Sequence, residues 1–441
     1  MNFKYLKRKI DIDLLEWKNI EDRKPLILRG ARQVGKSSAV RELSKKFDNF
    51  LEINFENKDH ADAKRVFERH SDPHIICDEL SAVFETPIIA GKTLLFLDEI
   101  QSCTDSISSL RYFYEQMPEL HVIAAGSLLE FALQKIPSYA VGRVRSIYMY
   151  PFSFEEFLSA MEKNLLIDKF NSASPENPFS EEINKKLTEL FLRFVVIGGM
   201  PEVVSKYASG GSLLECQNIL DELTETFYND FAKYKHRIPT TRLDEVFSAV
   251  IAQTGQKFTY SKVATSANQL QIKESIELLK MAGLVYSATH TSANGLPLAA
   301  ETNPRYQKLM ILDTGIYQRF LRLDLTNLLL NEKIEQINKG AIAEMFVGTE
   351  LVKSQNNRLP AVLYYWQREK EGSNAEIDYV IQKQQHIVPI EVKAGTKGTM
   401  QSMFLFLNEK QQQYGIRCAM ENFDEFQNIK IYPLYASGKL L

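Results

Sequence analysis

Eight residues constrain this chain more than any others. Gly30-Ala31-Arg32-Gln33-Val34-Gly35-Lys36-Ser37 fits the pattern G-x-x-x-x-G-K-[ST] and lies between a strand-like run and a helix-like run. Upstream, Pro25 to Arg29 carries the apolar triplet Leu26, Ile27 and Leu28 of a buried strand, and downstream Ser38 to Phe47 carries a helical pattern. A glycine-rich turn feeding a helix points its backbone N–H groups inward, where they and the helix N-terminus favour phosphate oxygens. The pattern therefore predicts a triphosphate cradle for ATP built from Gly30, Gln33, Val34, Gly35, Lys36, Ser37 and Ser38. Lys36 would reach the β and γ phosphates as a point charge, and the Ser37 hydroxyl would face Mg²⁺.

Such a loop needs a second element to handle the metal, and Lys92-Thr93-Leu94-Leu95-Phe96-Leu97-Asp98-Glu99 is an apolar run ending in two carboxylates. It predicts a central parallel strand that delivers acids at its C-terminal edge, where open α/β sheets bind ligands. There Asp98 would hold Mg²⁺ through water, and Glu99 would orient and deprotonate an attacking water. Without the loop, the same run reads as a buried strand whose trailing Asp-Glu caps a helix. The loop upstream favours the chemical reading.

A third apolar strand, His121 to Ala125, ends in Gly126-Ser127. At that edge Ser127 would sense the γ-phosphate or the lytic water, or else cap the helix that begins at Leu128. Gly142-Arg143-Val144-Arg145 precedes an aromatic run from Ile147 to Phe157. An arginine brought to the γ-phosphate, by the same chain or by a neighbouring copy, offsets transition-state charge and is worth about 10³ or more in rate. Arg143 is that candidate, against the plainer reading of a solvated surface charge. The expected catalytic set is Glu99, Lys36 and Arg143.

At 441 residues the chain exceeds what one core usually serves, so about two to four domains are expected. Lys and Arg number 53 against 56 Asp and Glu, which gives no global nucleic-acid signature while leaving room for a local basic face. Cys77, Cys103, Cys216 and Cys418 form neither a CxxC pair nor a zinc spacing, which points to unpaired thiols in a reducing compartment. Met1 to Lys9 is polar and basic, and no apolar run is long enough to span a bilayer, so a cytoplasmic protein without membrane association is expected.

The expected fold class is α/β: a parallel-sheet P-loop domain with a helical lid, a winged-helix domain and a C-terminal α/β nuclease-like domain. Residues 1–165 form the P-loop core, with strands Pro25 to Arg29, Asn49 to Phe55, Thr93 to Asp98, His121 to Ala125 and Ser146 to Tyr150. Lys7 to Asn19 is a helix before the loop, and the polar stretch Asn171 to Ser180 marks a boundary. Residues 180–237 read as a helical lid broken at Gly198-Gly199-Met200-Pro201 and at Ser209-Gly210-Gly211-Ser212. Within 240–325, helices Leu243 to Thr254, Tyr260 to Ala267 and Gln271 to Ala282 precede strands Gly283 to Thr289 and Leu296 to Glu301, a winged-helix pattern. Lys262, Lys273 and Lys280 supply few cations, so this module serves DNA contact or protein packing equally well.

In residues 335–441 an amphipathic helix, Asn338 to Ser354, precedes strands Ala361 to Arg368, Ala375 to Gln382 and Ile387 to Lys393. The period-two spacing of a strand puts Glu391 and Lys393 on one face. With Asp378 on the neighbouring strand and Glu344 on the helix, that face would hold a divalent metal through carboxylates and present the Lys393 ammonium to a water or a scissile phosphate. The plain alternative is a set of ordinary charges on a half-exposed sheet.

These residues resemble those of the large prokaryotic family of AAA-type ATPases that joins an ATPase core and a winged helix to an uncharacterised C-terminal domain, itself similar to the PD-(D/E)XK nuclease fold. The resemblance spans essentially the whole chain. Its tokens are Gly30 to Ser37, Leu95 to Gln101, Gly126-Ser127, Gly142-Arg143 leading to Pro151 through Phe157, Gly198-Gly199-Met200-Pro201, Lys308 to Gly315, and the Asp378, Glu391, Lys393 set. It implies ATP binding by Gly35, Lys36 and Ser37, metal contact by Asp98, catalysis by Glu99 and an arginine-finger role for Arg143. It also implies kinship with ATPases that switch conformation. One departure stands out: many PD-(D/E)XK enzymes carry proline beside the first acid, whereas Ile377 and Tyr379 flank Asp378.

Two functional expectations follow. In one, an Mg²⁺-dependent ATP hydrolase moves a lid and winged helix relative to a nuclease-like domain, with DNA and further copies of the chain as candidate partners. In the other, a nucleotide-gated module docks protein or DNA through a catalytically silent C-terminal domain. Kinase-like transfer finds no acceptor-binding motif.

Overall fold

The structure, a computed structural model, describes residues 4–126, 129–133, 142–234, 237–325, 339–370, 372–395 and 400–441. Two compact units divide the chain. The first comprises Met1–Tyr150 with Met281–Gly283 and Asn356–Pro360, and the second Pro151–Lys280, Leu284–Gln355 and Ala361–Leu441.

In the first unit, β1 (Leu26–Arg29), β2 (Asn49–Asn54), β3 (Thr93–Asp98), β4 (His121–Ala125) and β5 (Arg145–Tyr148) form one sheet in the order β2-β3-β4-β1-β5. Every pairing is parallel. Strands β1, β3 and β4 are buried along their whole length, as covered inner strands of a parallel sheet require. Ile27, Leu95, Leu97, Val122 and Ala124 pack against Ala63, Val66, Phe67, Ile107, Leu110 and Phe113 of the flanking helices. Parallel pairing sends the C-terminal ends of β1 and β3 to one edge of the sheet. The five strands match the sequence expectation in number and position. The expected first helix spans Ile10–Lys18 and buries Ile10, Leu14 and Trp17.

The second unit opens with helices. Glu181–Ile197, Pro201–Ala208 and Leu213–Phe231 break where the glycine and proline clusters predict. The first break is a close-packed joint: Gly199 N donates to Asp313 Oδ2 at 2.6 Å, and Phe152 N donates to Gly199 O at 2.7 Å. A Cβ on Gly199 would lie 2.3 Å from the Phe152 carbonyl oxygen, so only glycine fits.

Eight strands form the sheet of this unit: β6 (Val285–Thr291), β7 (Thr302–Ile311), β8 (Leu363–Gln367), β9 (Glu376–Lys383), β10 (His386–Val392), β11 (Gly415–Ala419), β12 (Asp424–Phe426) and β13 (Ile429–Pro433). Their order is β12-β13-β11-β10-β9-β8-β6-β7. Three sequence expectations need correction. Tyr260 to Ala267 is not a helix but a single turn at Tyr260–Lys262, after which Thr265 Oγ1 accepts from Ala267 N at 3.1 Å, a local side-chain bond that competes with a helical one. Leu296 to Glu301 is not a strand: Pro297 withholds a ladder donor, a short turn fills Leu298–Glu301, and pairing starts at Thr302. The hairpin is also not a free wing, since β6 pairs in parallel with β8, Ala288 opposite Leu363, and joins the C-terminal strands in one sheet.

All four cysteines are buried and free. Among the described residues no helix is long and apolar enough to cross a membrane.

Candidate active site

The loop after β1 owes its shape to two glycines. Gly30 has φ 139°, and a Cβ there would sit 2.1 Å from the Met149 carbonyl oxygen. Gly35, at φ 97°, caps the helix Lys36–Ser44 in a left-handed conformation that other residues adopt at a penalty. Gln33 also takes a positive φ, 61°, at the exposed crest. Val34 is fully buried, and its carbonyl accepts from Arg8 Nη1 at 3.2 Å, while Arg8 Nη2 reaches the Tyr150 carbonyl at 2.7 Å. This brace by Arg8 has no sequence signature and was not among the expected residues.

Lys36 is buried, and its Nζ donates to the carbonyls of Gly30 and Ala31, both at 2.8 Å. Burial lowers its pKa to about 8, opposed by the charges of Glu99 and Asp98. Ser37 Oγ donates to Asp98 Oδ2 at 2.8 Å. Asp98 is itself 5% exposed, and burial raises its pKa against the pull of the Ser37 hydrogen bond. Loop and acidic strand thus meet, as the sequence predicts. Ser38 lies exposed on the first turn of the helix.

Glu99 adopts φ 50°, ψ 42°, an uncommon conformation for a non-glycine residue, and turns the chain sharply at the sheet edge. Gln101 Nε2 donates to Glu99 Oε2 at 2.6 Å. Gln101 fits there because residue 126, at the end of β4, has no side chain: a Cβ on Gly126 would lie 2.0 Å from Gln101 Oε1. Gln101 fell within an expected token, Leu95 to Gln101, but without a role. Beside Asp98 in register, Asn54 ends β2 and borders an open polar cleft of about 520 Å³ that also takes in Arg41, Glu52 and His60.

Two expected members of the site are not brought to it among the described residues. Ser127 lies outside the described residues. Arg143 precedes β5, which runs parallel to β1 with Arg145 opposite Leu26, so it sits at the N-terminal edge of the sheet while the loop leaves the C-terminal edge. Its Nε pairs with Glu115 Oε1 at 2.5 Å. Of the two roles left open for Arg143, within its own chain or across to a neighbouring copy, this register disfavours the first, since the length of the strands separates it from the loop.

The second unit holds the C-terminal carboxylates, and a lysine stands among them. Lys308 of β7 is 1% exposed, with its Nζ at 2.7 Å from Glu344 Oε1, 2.5 Å from Glu376 Oε1 and 3.3 Å from Asp378 Oδ1. Burial alone would lower the Lys308 pKa, but the three carboxylates outweigh it and hold the ammonium charged. Burial pushes Glu344 up to about 8, with Lys308 pulling the other way. Asp378 Oδ2 accepts from Val392 N at 2.8 Å. Glu391 turns to Lys393 Nζ at 2.6 Å, and its Oε2 is buried without a hydrogen-bond partner. The expected metal set of Glu344, Asp378 and Glu391 is therefore corrected: Glu344 and Asp378 converge on an ammonium, and Glu391 pairs elsewhere. Among the described residues no three His, Cys, Asp or Glu side chains are grouped to hold a metal ion. The sequence reading missed Lys308 and Glu376 as site residues. Glu376 was within reach of it, lying two residues before Asp378 on the same strand face.

Comparison with known proteins agrees with the first unit. Residues 22–158 match the family described as an AAA domain, and this segment is an AAA-type P-loop domain. Residues 188–327 and 339–436 match two domains of unknown function, DUF8612 and DUF4143. No curated protein matches the chain. Among solved structures the chain is similar to the Walker-type ATPase PABY2304 of Pyrococcus abyssi, at 15% identity and TM-score 0.45, over 72% of this chain and 96% of that one. It is also similar to the Aeropyrum pernix ORC1 protein, solved in complex with DNA, at 12% identity and TM-score 0.28, over 75% and 96%. A signal transduction ATPase with a tetratricopeptide repeat sensor, PH0952 of Pyrococcus horikoshii, aligns at 13% identity and TM-score 0.27, over 80% and 46%. The AAA-type assignment rests on the family match and the loop, since these structural likenesses are too low to add to it.

Proposed function

We propose that the chain is an Mg²⁺-dependent ATP hydrolase of AAA type whose nucleotide state is passed to the second unit. The observation that carries this reading is the 2.8 Å bond from Ser37 Oγ to Asp98 Oδ2, with Lys36 in the adjoining loop. A hydroxyl and a buried carboxylate side by side form the all-oxygen donor pair that Mg²⁺ accepts while keeping waters and phosphate oxygens as its other ligands. Gly30 lets the loop pass close to the Met149 carbonyl oxygen, which would lie 2.1 Å from a Cβ there, and so fixes the path of the cradle. Ser37 and Asp98 would hold the ion, which neutralises charge on the phosphates. Loop amides from Gly30 to Ser38 would hold phosphate oxygens, and Lys36 would exchange its two carbonyl acceptors for the β and γ phosphates. Glu99, fixed by Gln101, would take a proton from a water as that water's oxygen bonds to the γ-phosphorus and the bond to the ADP oxygen breaks. Arg143 would act only across an interface between two copies of the chain.

Mg²⁺-dependent ATP turnover compared among the native chain, Lys36→Ala and Glu99→Gln tests this. Glu99→Gln is expected to keep ATP binding and lose about 10²-fold or more in turnover, since it removes a base while preserving shape. Native turnover no faster than that of either variant would overturn the reading.

For the second unit, the position of Lys308 favours docking over cleavage: the carboxylates that a nuclease would offer to metal are already paired. We place any DNA contact on the winged-helix and C-terminal segments, and stimulation of ATP turnover by DNA, together with sizing in ATP, measures both that contact and self-association.

A further inference from the structure

We propose that the turn Met281-Ala282-Gly283 is a sensor of the loop's occupancy, seated on Ala31 and following whether Lys36 holds the loop carbonyls or a phosphate. The inference deepens the ATP reading and rests on it.

Two short segments, Met281–Gly283 and Asn356–Pro360, count with the first unit although the chain on either side of each belongs to the second. They differ in what they meet there. Asn356–Pro360 is tied to fixed parts: Asn357 O accepts from Tyr148 N of β5 at 2.7 Å, Asn357 Nδ2 donates to Asp13 Oδ2 at 2.7 Å, and Arg358 Nη2 donates to Glu16 Oε2 at 3.1 Å. Met281–Gly283 meets the loop itself. A Cβ on Gly283 would lie 3.0 Å from Ala31 N and 3.1 Å from both Ala31 Cα and Cβ.

Glycine at 283 is first of all a helix stop. The helix Gln269–Met281 ends just before it, Gly283 takes φ 73°, and Leu284 N donates to Leu279 O at 3.1 Å, the closing bond of a left-handed C-terminal cap. That cap accounts for the glycine but not for where it packs, which is against Ala31, 3% exposed within the loop. The peptide group between Gly30 and Ala31 is a rigid plane with a different neighbour at each end: Gly30 O accepts from Lys36 Nζ at 2.8 Å, and Ala31 N faces Gly283. Lys36 Nζ also holds Ala31 O at 2.8 Å, so one ammonium fixes the planes on both sides of Ala31. Moving that ammonium to phosphate oxygens releases both planes and loosens the seat of the turn. Gly283 is covalently continuous with the capped helix and with β6, so the bond between Leu284 and Leu279 weakens with the seat. By linkage, whatever unseats the turn favours nucleotide in return.

The test is amide hydrogen exchange of the full-length chain, read at Leu284 and at Tyr148, with binding of a non-hydrolysable ATP analogue and Mg²⁺ measured separately by calorimetry. In the native chain the analogue is expected to speed exchange at Leu284 about tenfold and to leave Tyr148, held by Asn357, within about twofold. Lys36→Met without nucleotide should show the same faster exchange at Leu284, since the loop carbonyls have lost their ammonium. Gly283→Asn keeps a residue that tolerates the left-handed region and adds a Cβ that wedges the turn off Ala31. In it Leu284 should exchange fast with and without the analogue, and the analogue should bind at least as tightly as to the native chain. Analogue bound with Leu284 unmoved overturns the sensor role and leaves the ATP reading standing, whereas no analogue bound overturns both. An equal rise at Tyr148 also overturns the sensor role, because it reports general loosening. So does Lys36→Met exchanging at Leu284 as slowly as the native chain without nucleotide, and that comparison decides should Gly283→Asn fail to fold.

Discussion

Ser37 and Asp98, 61 residues apart in sequence, are joined by one hydrogen bond of 2.8 Å between the helix after β1 and the end of β3. β4 lies between those two strands, so the bond bridges a strand at the sheet edge. A proton-donating hydroxyl holds the carboxylate in one orientation, and the same two oxygens are the pair offered to an ion. Organisation before binding lowers the ordering that a ligand must impose.

Gly126 predicts a separation of stability from turnover. Gly126→Ala places a methyl 2.0 Å from Gln101 Oε1, and the Gln101 side chain can swing away because it is flexible. The fold should lose about 1 kcal/mol or less. Glu99 then loses its 2.6 Å partner, and ATP turnover should fall by about tenfold, with Gln101→Ala behaving alike. A large drop in melting temperature with unchanged turnover would contradict this division of roles.

Gly30 offers no such relief. The atom opposing an added Cβ is the backbone oxygen of Met149 at 2.1 Å, and φ is 139°. Gly30→Ala should cost about 3 kcal/mol or more in urea unfolding, through steric conflict and backbone strain together. A loss under about 1 kcal/mol would show that the loop and β5 can move apart.

Lys36 predicts that the site is held against stability. Its folded pKa, about 8, lies below the 10.5 of the unfolded chain, so the unfolded state binds more protons between those values. The penalty for burying the ammonium is full below pH 8 and disappears as pH rises to 10.5. Lys36→Met should therefore raise nucleotide-free stability at pH 7 by about 1–3 kcal/mol, less at pH 10, while abolishing ATP binding. Lower stability at pH 7 would mean that the two carbonyl bonds outweigh burial.

Glu344 sets a pH dependence of its own. Its folded pKa, about 8, lies above the unfolded 4.5, so its contribution is fully present below pH 4.5 and is lost as pH rises through 8. Denaturation midpoints measured from pH 5 to 8 should fall with a contribution of up to about 1.4 kcal/mol per pH unit, and Glu344→Gln should remove it. An unaltered slope in that variant would assign the titration to another group.

Some of this was legible in the sequence because the signal was local. Leu26 to Leu28, Leu94 to Leu97 and Val122 to Ala125 are uninterrupted apolar runs, which buried parallel strands require, and the loop carries its own glycine spacing. What depends on distant partners was not. Lys308 ends the polar run Arg305-Tyr306-Gln307-Lys308 and reads as an ordinary strand charge, since its acids lie 36 to 70 residues away. Whether Arg143 could face the phosphates of its own chain also depended on the register of β5, which puts it at the far edge of the sheet. Strands β11 to β13 escaped notice: β11 is wholly buried and β12 wholly exposed, so neither alternates.

The pairing of β6 with β8 bears on how this polypeptide tolerates being cut. A fragment starting at residue 335 would keep every C-terminal carboxylate yet strip Leu363–Gln367 of the neighbour that takes its backbone N–H and C=O groups on one side. The bared strand would adhere to others like it, so such a truncation invites aggregation, and the folding unit on this flank must begin no later than Val285.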